Sequence, residues 1–169
     1  MTKQSRIWIT LLPVIAVMVA IFCFSAQPAD ESSRTSDVIV DKVITTVVPD
    51  FDTLPSASKT DIKDFITVIV RKSGHFSEFA LLGFFMLLHV SSHIRPEGGT
   101  KKRLLALILC AAYASTDEIH QIFVEGRCAR LTDVLIDSAG ALVGILIMQA
   151  VLYFIGKHRK TRKSKELSR

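Results

Sequence analysis

The sequence predicts an all-α integral membrane protein, a four-helix bundle with amphipathic helices in its first extracytoplasmic loop. Three observations predict it. Apolar residues make up 49% of the 169-residue chain and gather into blocks. The blocks approach the roughly 20 residues that a hydrocarbon core about 30 Å thick requires. Lysines and arginines crowd alternate ends of those blocks, as they do beside cytoplasmic loops.

Residues 1–26 form the N-terminal cytoplasmic end and the first span. From Ile7 to Ala26 there is no charge, only Pro13 and small polar side chains, which a lipid-embedded helix tolerates. Lys3 and Arg6 precede this block as they would precede a signal peptide. Phe24, third residue back from a cut after Ala26, is too bulky for a cleavage site, and Phe22 beside Cys23 argues against a lipoprotein site, so a retained anchor is predicted.

Residues 27–74 form the extracytoplasmic loop, with six basic and eight acidic residues. Val40, Val43, Ile44, Val47 and Val48 recur at helical spacing until Pro49. Ile62, Phe65, Ile66 and Ile69 repeat likewise behind a cap at Ser58 or Thr60. Both segments suit the bilayer surface or the outer ends of the bundle. Arg71 and Lys72 run against the orientation rule; snorkelling to head groups accounts for them, as would holding an anionic substrate.

Residues 75–156 hold three further spans. The second runs from about His75 to His93 around the uninterrupted Phe79–Leu88 stretch. The third begins at Leu104, is too short if it stops at Ala114, and must continue through Asp117, Glu118 and His120 to Phe123. The fourth runs from about Asp133 to Ile155. Residues 157–169 are a basic tail. Basic residues therefore flank the first span, the second connection (Arg95, Lys101, Lys102, Arg103) and the tail, so both termini are predicted to be cytoplasmic. Such a tail meets anionic lipid more often than nucleic acid, and no nucleic-acid role is assigned. Cys23, Cys110 and Cys128 have no framework or zinc spacing.

The ionisable residues within the spans gather at the extracytoplasmic side. His75 and Glu78 share a helix face that continues toward His89, near the cytoplasmic end. Asp117 shares a face with His120 and Gln121, with Glu118 one step around. Asp133, Asp137, Gly140 and Gly144 form one stripe, acidic first and glycine last; the glycines let helices approach closely, which turns the aspartates inward. Arg127 and Arg130 occupy the adjoining loop. A charge at a span centre costs roughly 2.5 to 3.5 kcal/mol on insertion scales, so the group needs mutual pairing or water.

Three accounts fit. One is an ion-pair network closing the bundle, with Arg127 bridging aspartates and His75 paired to a carboxylate. In the second, two histidines and several carboxylates hold zinc or a similar ion. In the third, crowded carboxyls divide acid and base roles, Glu78 or Glu118 working with His120 or His75, while arginines bind an anionic group. The residues themselves name no metal, cofactor or oligomeric state. Four spans without an inverted repeat argue against a transporter.

The runs KSGHFSEFALLGF and ASTDEIHQIFVEGRCARLTDVLIDSAGALVG, with FSAQPADESSRTSDVIV after the first helix, closely resemble the VanZ-like family. The resemblance covers most of the chain from Phe24 to Gly144. Its motif positions fall on Lys72, His75, Glu78, Asp117, Glu118, His120, Gln121, Gly126, Arg127, Asp133, Asp137 and Gly140. Glu125 stands where the family commonly has proline, and Asp137 where asparagine is common. The resemblance implies a membrane protein related to a factor for low-level teicoplanin resistance. Teicoplanin bears an acyl chain, so the expectation is a cell-envelope site where Glu78, Glu118 and His120 are candidate catalytic groups. Lys72, His75, Asp117, Gln121, Arg127, Asp133 and Asp137 are the corresponding binding groups, for an envelope lipid or lipoglycopeptide. An enzyme acting on an envelope lipid and a plain structural scaffold are the alternatives.

Overall fold

A computed structural model describes residues 3–93 and 98–167; Arg95 of the basic connection and Arg169 of the tail lie outside the described residues. Among the described residues there are five α-helices, one short 3-10 turn and no strand: α1 Lys3–Ser25, α2 Ala29–Val47, α3 Ser56–His93, α4 Gly99–Gln121 and α5 Leu131–Leu167, with the turn at Phe51–Thr53.

Three helices are long and apolar enough to cross a membrane, in α1 (Ile7–Ser25), α3 (Ser56–His93) and α5 (Leu131–His158). Their apolar side chains point outward as well as inward. Trp8, Leu12 and Val19 on α1 and Leu135, Leu146, Ile147 and Phe154 on α5 are all exposed. So much apolar surface suits lipid rather than water. α4 falls outside this set because Lys101, Lys102 and Arg103 at one end and Asp117 and Glu118 at the other leave a short apolar middle.

Two boundaries differ from the sequence reading. The second amphipathic segment and the second span are one helix, α3, of 38 residues. No proline separates them, and Gly74 alone costs a helix only about 1 kcal/mol relative to alanine. At 1.5 Å per residue this rod is about 57 Å long, well beyond a hydrocarbon core. At the other end of the chain, α5 continues past Ile155 into the basic tail as far as Leu167. The lysines, arginines and glutamate there are good helix formers, and nothing breaks the run.

α1, α3, α4 and α5 share one core. Val14, Val17 and Ile21 of α1 meet Phe79, Leu82, Leu87 and Val90 of α3, Cys110 and Ala114 of α4, and Ala141, Ile145 and Met148 of α5. α2 has its own small core, where Val40 and Ile44, one turn apart, pack on Ile66 of α3. Val47 lies off this face and is exposed.

Polar contacts fix the helix directions. At one end the Thr10 hydroxyl of α1 lies 3.0 Å from His89 Nδ1 and 2.9 Å from His93 Nε2, and Arg103 donates to Gln149 Oε1 at 2.7 Å. The start of α1 thus meets the end of α3, and the start of α4 meets the far half of α5. At the opposite end, Ser25 of α1 meets Asp117 of α4, and Lys72 of α3 meets Asp133 of α5.

α3 and α5 form the most extensive helix pair, and glycine makes it possible. A Cβ on Gly144 would lie 1.7 Å from the Ala80 carbonyl oxygen, one on Gly140 2.3 Å from that of Phe76, and one on Gly83 2.2 Å from that of Ala141. The close approach read from Gly140 and Gly144 is therefore backbone against backbone, with Gly83 as a third participant from α3. These obstacles are main-chain atoms, so relief requires the helices to part. Gly144→Ala is expected to destabilise the protein by about 1–3 kcal/mol through overpacking. Gly156→Ala, where a Cβ meets nothing within 4 Å, is expected to be neutral. Thermal unfolding of the two purified variants checks this, and equal melting temperatures would refute the backbone contact.

Candidate functional site

The site lies where α1 ends and α5 begins. α4 brings three buried polar side chains there, Asp117, Glu118 and Gln121, on its last turns. Asp117 accepts from the Ser25 hydroxyl at 2.7 Å and from Gln121 Nε2 at 3.1 Å, both on Oδ2. Glu118 accepts from Gln121 Nε2 at 3.4 Å and from the Arg130 backbone N–H at 2.7 Å. Two carboxylates that length and spacing place inside a helical bundle thus obtain donors, which makes their burial tolerable.

α3 contributes Arg71, Lys72, His75 and Glu78. Lys72 pairs with Asp133 at the first turn of α5. Arg71, half-buried, makes no hydrogen bond or ion pair among the described residues. α5 adds Asp137, 1% exposed, with neither carboxylate oxygen hydrogen-bonded. Asp117, Glu118, Asp133 and Glu78 all lie within electrostatic range of it. His75 Nδ1, Glu78 Oε2, Asp117 Oδ1 and His120 Nε2 are likewise buried without a partner among the described residues.

The α4–α5 loop is tied to the end of α1. Arg127 Nε donates to the Gln27 carbonyl at 2.9 Å and Nη2 to that of Phe24 at 3.2 Å. A guanidinium on carbonyls at a helix C-terminus satisfies orphan acceptors and complements the helix dipole. This corrects the expectation that Arg127 bridges aspartates, and His75 makes no ion pair with a carboxylate either; the close ion pair at this site is Lys72 with Asp133. Burial, then the neighbouring Arg71, draws the Arg127 pKa below its ordinary value, while Asp117, Glu118 and Glu78 pull it upward. Arginine's intrinsic basicity keeps the guanidinium cationic.

Gly126 holds the loop in the left-handed region, φ +72°, and a Cβ there would also come 3.0 Å from that of Ala29. The Glu125 carbonyl accepts from the Ala29 N–H at 3.2 Å. Any residue supplies that carbonyl, proline included, so the departure at Glu125 leaves the loop's tie to α2 intact.

A cavity of about 210 Å³ is lined by Arg71, Lys72, His75, Glu118, Gln121, Arg127, Arg130, Asp133 and Asp137, with Gly126 and Cys128 from the loop. A smaller one, about 180 Å³, adjoins it; Arg71, His75 and Arg127 line both, and Glu78 lines the second. Asp117 lies behind these walls, buried against Ser25. His120 borders neither cavity. Its ring stacks on Phe22, centroids 4.5 Å apart. Seven of the ten predicted site residues thus border the first cavity, Glu78 the second, and Asp117 and His120 stand back from both. No group of three or more His, Cys, Asp or Glu among the described residues has an arrangement suited to a metal ion.

Sequence reading missed Ser25, the partner of Asp117, because one serine at the end of an apolar span has no pattern. Gln27 and Phe24 serve through main-chain carbonyls, which no side chain announces.

Fold and site together define a helical membrane protein with charged residues from several helices enclosed at one end. A family model described as VanZ/LLP1 matches residues 10–153, and the chain belongs to that family. No curated protein and no solved structure matches the chain.

Ser25→Ala leaves Asp117 Oδ2 with Gln121 alone. The expected cost is about 1–3 kcal/mol, the penalty for stripping a buried acceptor of a donor, with Ser36→Ala, whose partner is a carbonyl of its own helix, nearly neutral. Denaturation of both variants measures it; a Ser25→Ala protein as stable as the parent would refute the role of this bond.

Proposed function

We propose that the chain is a multi-pass cell-membrane protein with four spans and cytoplasmic termini, whose cavity faces outward and binds the head group of an envelope amphiphile. The observation that carries this reading is the half-buried, unpaired Arg71, which with Arg127 borders both cavities, the larger of them also lined by the buried Glu118 and Asp137. A guanidinium rim selects anionic groups bearing planar or tetrahedral oxygens. Supporting the orientation, the basic connection and tail belong to the end of the helices opposite this cavity. α4 serves as the fourth span because Ser25, Gln121 and the Arg130 N–H already solvate its two carboxylates, lowering the cost of insertion. α2 and the first half of α3 cover the outward face.

VanZ/LLP1 membership favours an amphiphile over a small soluble solute, and a role in glycopeptide resistance is the specific form of the reading. Expression is expected to change sensitivity to teicoplanin but not to a glycopeptide lacking an acyl chain. Arg71→Gln at equal membrane abundance should remove the change. Equal effects on both antibiotics would reject it.

A second reading, enzymatic, is favoured by the unpartnered buried atoms of Glu78, His75 and Asp137, groups suited to moving a proton near an anionic substrate. His75, which lines both cavities, is the better partner for Glu78 or Glu118 than His120. Glu78→Gln is then expected to abolish a change in envelope lipid composition that accompanies expression. Identical lipid profiles on expression and deletion, by mass spectrometry, would exclude this reading.

A further inference from the structure

Beside the charged cavities runs a third hollow of different chemistry, a groove of about 760 Å³ between α2 and the first half of α3. Ile39, Val43, Ile62, Phe65 and Ile69 form its walls, and the polar side chains among its lining residues are Ser73 and Ser77. The three hollows lie side by side and share lining residues. Ile39, Val70 and Gly74 border both the groove and the small cavity, which in turn shares Arg71, His75 and Arg127 with the large one. At the junction, Gly74 leaves open space: a Cβ there meets nothing within 4 Å. Nor does packing explain a glycine in the middle of α3, where it weakens the helix. Arg71 lies one helical turn from it.

From this arrangement we infer that the groove receives the acyl chain of a monoacyl phospholipid whose phosphate is held at Arg71 and Arg127, the chain passing over Gly74. The inference rests on the head-group reading above and adds where the chain lies and what the head group carries. A single groove of this volume falls within the range of ligand pockets and offers one channel for one chain. Its apolar walls gain from burying methylenes, and the unpaired Arg71 at its end supplies the charge complement to a phosphate. Bulk bilayer lipid would fill the groove without regard to head group, which separates it from a bound ligand.

The test uses the full chain in phosphatidylcholine nanodiscs, with lysophosphatidic acid as probe, monoacylglycerol of the same chain as the neutral comparison and glycerol 3-phosphate as the chainless one. Lysophosphatidic acid is expected to bind at least about tenfold more tightly than either. Gly74→Leu, a substitution that favours the helix, plugs the junction, and Ile69→Trp, at a half-exposed wall position, fills the groove. Each is expected to weaken lysophosphatidic acid about tenfold, the loss of a few buried methylenes, and Ile69→Trp, at a position that borders the groove alone, to leave glycerol 3-phosphate unchanged. Arg71→Gln should weaken both phosphate probes. If both groove variants bind lysophosphatidic acid like the parent, or monoacylglycerol binds as well as it does, the groove assignment is overturned. In that case retained sensitivity to Arg71→Gln preserves the head-group reading. Indifference of both phosphate probes to Arg71→Gln overturns the two together.

Discussion

The structure depends first on the contact between the backbones of α3 and α5. Gly140 and Gly144 lie against the carbonyls of Phe76 and Ala80, and Gly83 against that of Ala141. In lipid, helices gain little by hiding apolar side chains from each other, so close packing of main chain and small residues has to hold them together. The contact also sets register. With Gly140 fixed at Phe76, Asp133 is two turns farther along, beside Lys72, and Asp137 lies between them at the depth of His75. A shift by one residue would rotate the aspartates away from α3.

The charged end is a layered arrangement. The carboxylates of Asp117, Glu118 and Asp137 are buried, and the guanidiniums of Arg71 and Arg127 are half-buried, as is Asp133. Donors are distributed unequally: Asp117 and Glu118 are served by Ser25, Gln121 and the Arg130 N–H, whereas Asp137 has none among the described residues. Buried polar atoms without partners are uncommon and cluster where proteins bind or react. Asparagine, common at the Asp137 position in the resembling family, would bring its own donors there. The aspartate makes this copy's cavity an acceptor-rich one.

Much of this was legible in the chain. The charge-free block of α1 follows from length and composition, and the stripe of Asp133, Asp137, Gly140 and Gly144 and the inward face of α4 follow from helical periodicity. The illegible parts share a cause: they are settled by tertiary contact or by main-chain atoms. Gly83 resembles any glycine of an apolar helix until Ala141 is placed against it. Arg127 was naturally assigned to carboxylates, yet the C-terminal carbonyls of α1 were equally in need of donors. The division between amphipathic segment and span in α3 followed a change in composition, and composition does not break a helix that lacks proline. His120 sits in a motif rich in cavity residues, but its angular position on α4 turns it to Phe22 of α1.

That unbroken α3 links two regions of unlike surroundings. Its first half supports α2, and its second half is clamped by α5 at the glycines. A stiff rod gripped in one half moves as a lever in the other. Small adjustments where Gly83 and Gly144 grip it are therefore magnified at Ile66 and Ile62, about one and a half and two and a half turns before Arg71. α2, attached there through Val40 and Ile44 and to the α4–α5 loop through Ala29, couples that arm to the loop beside the charged cavity.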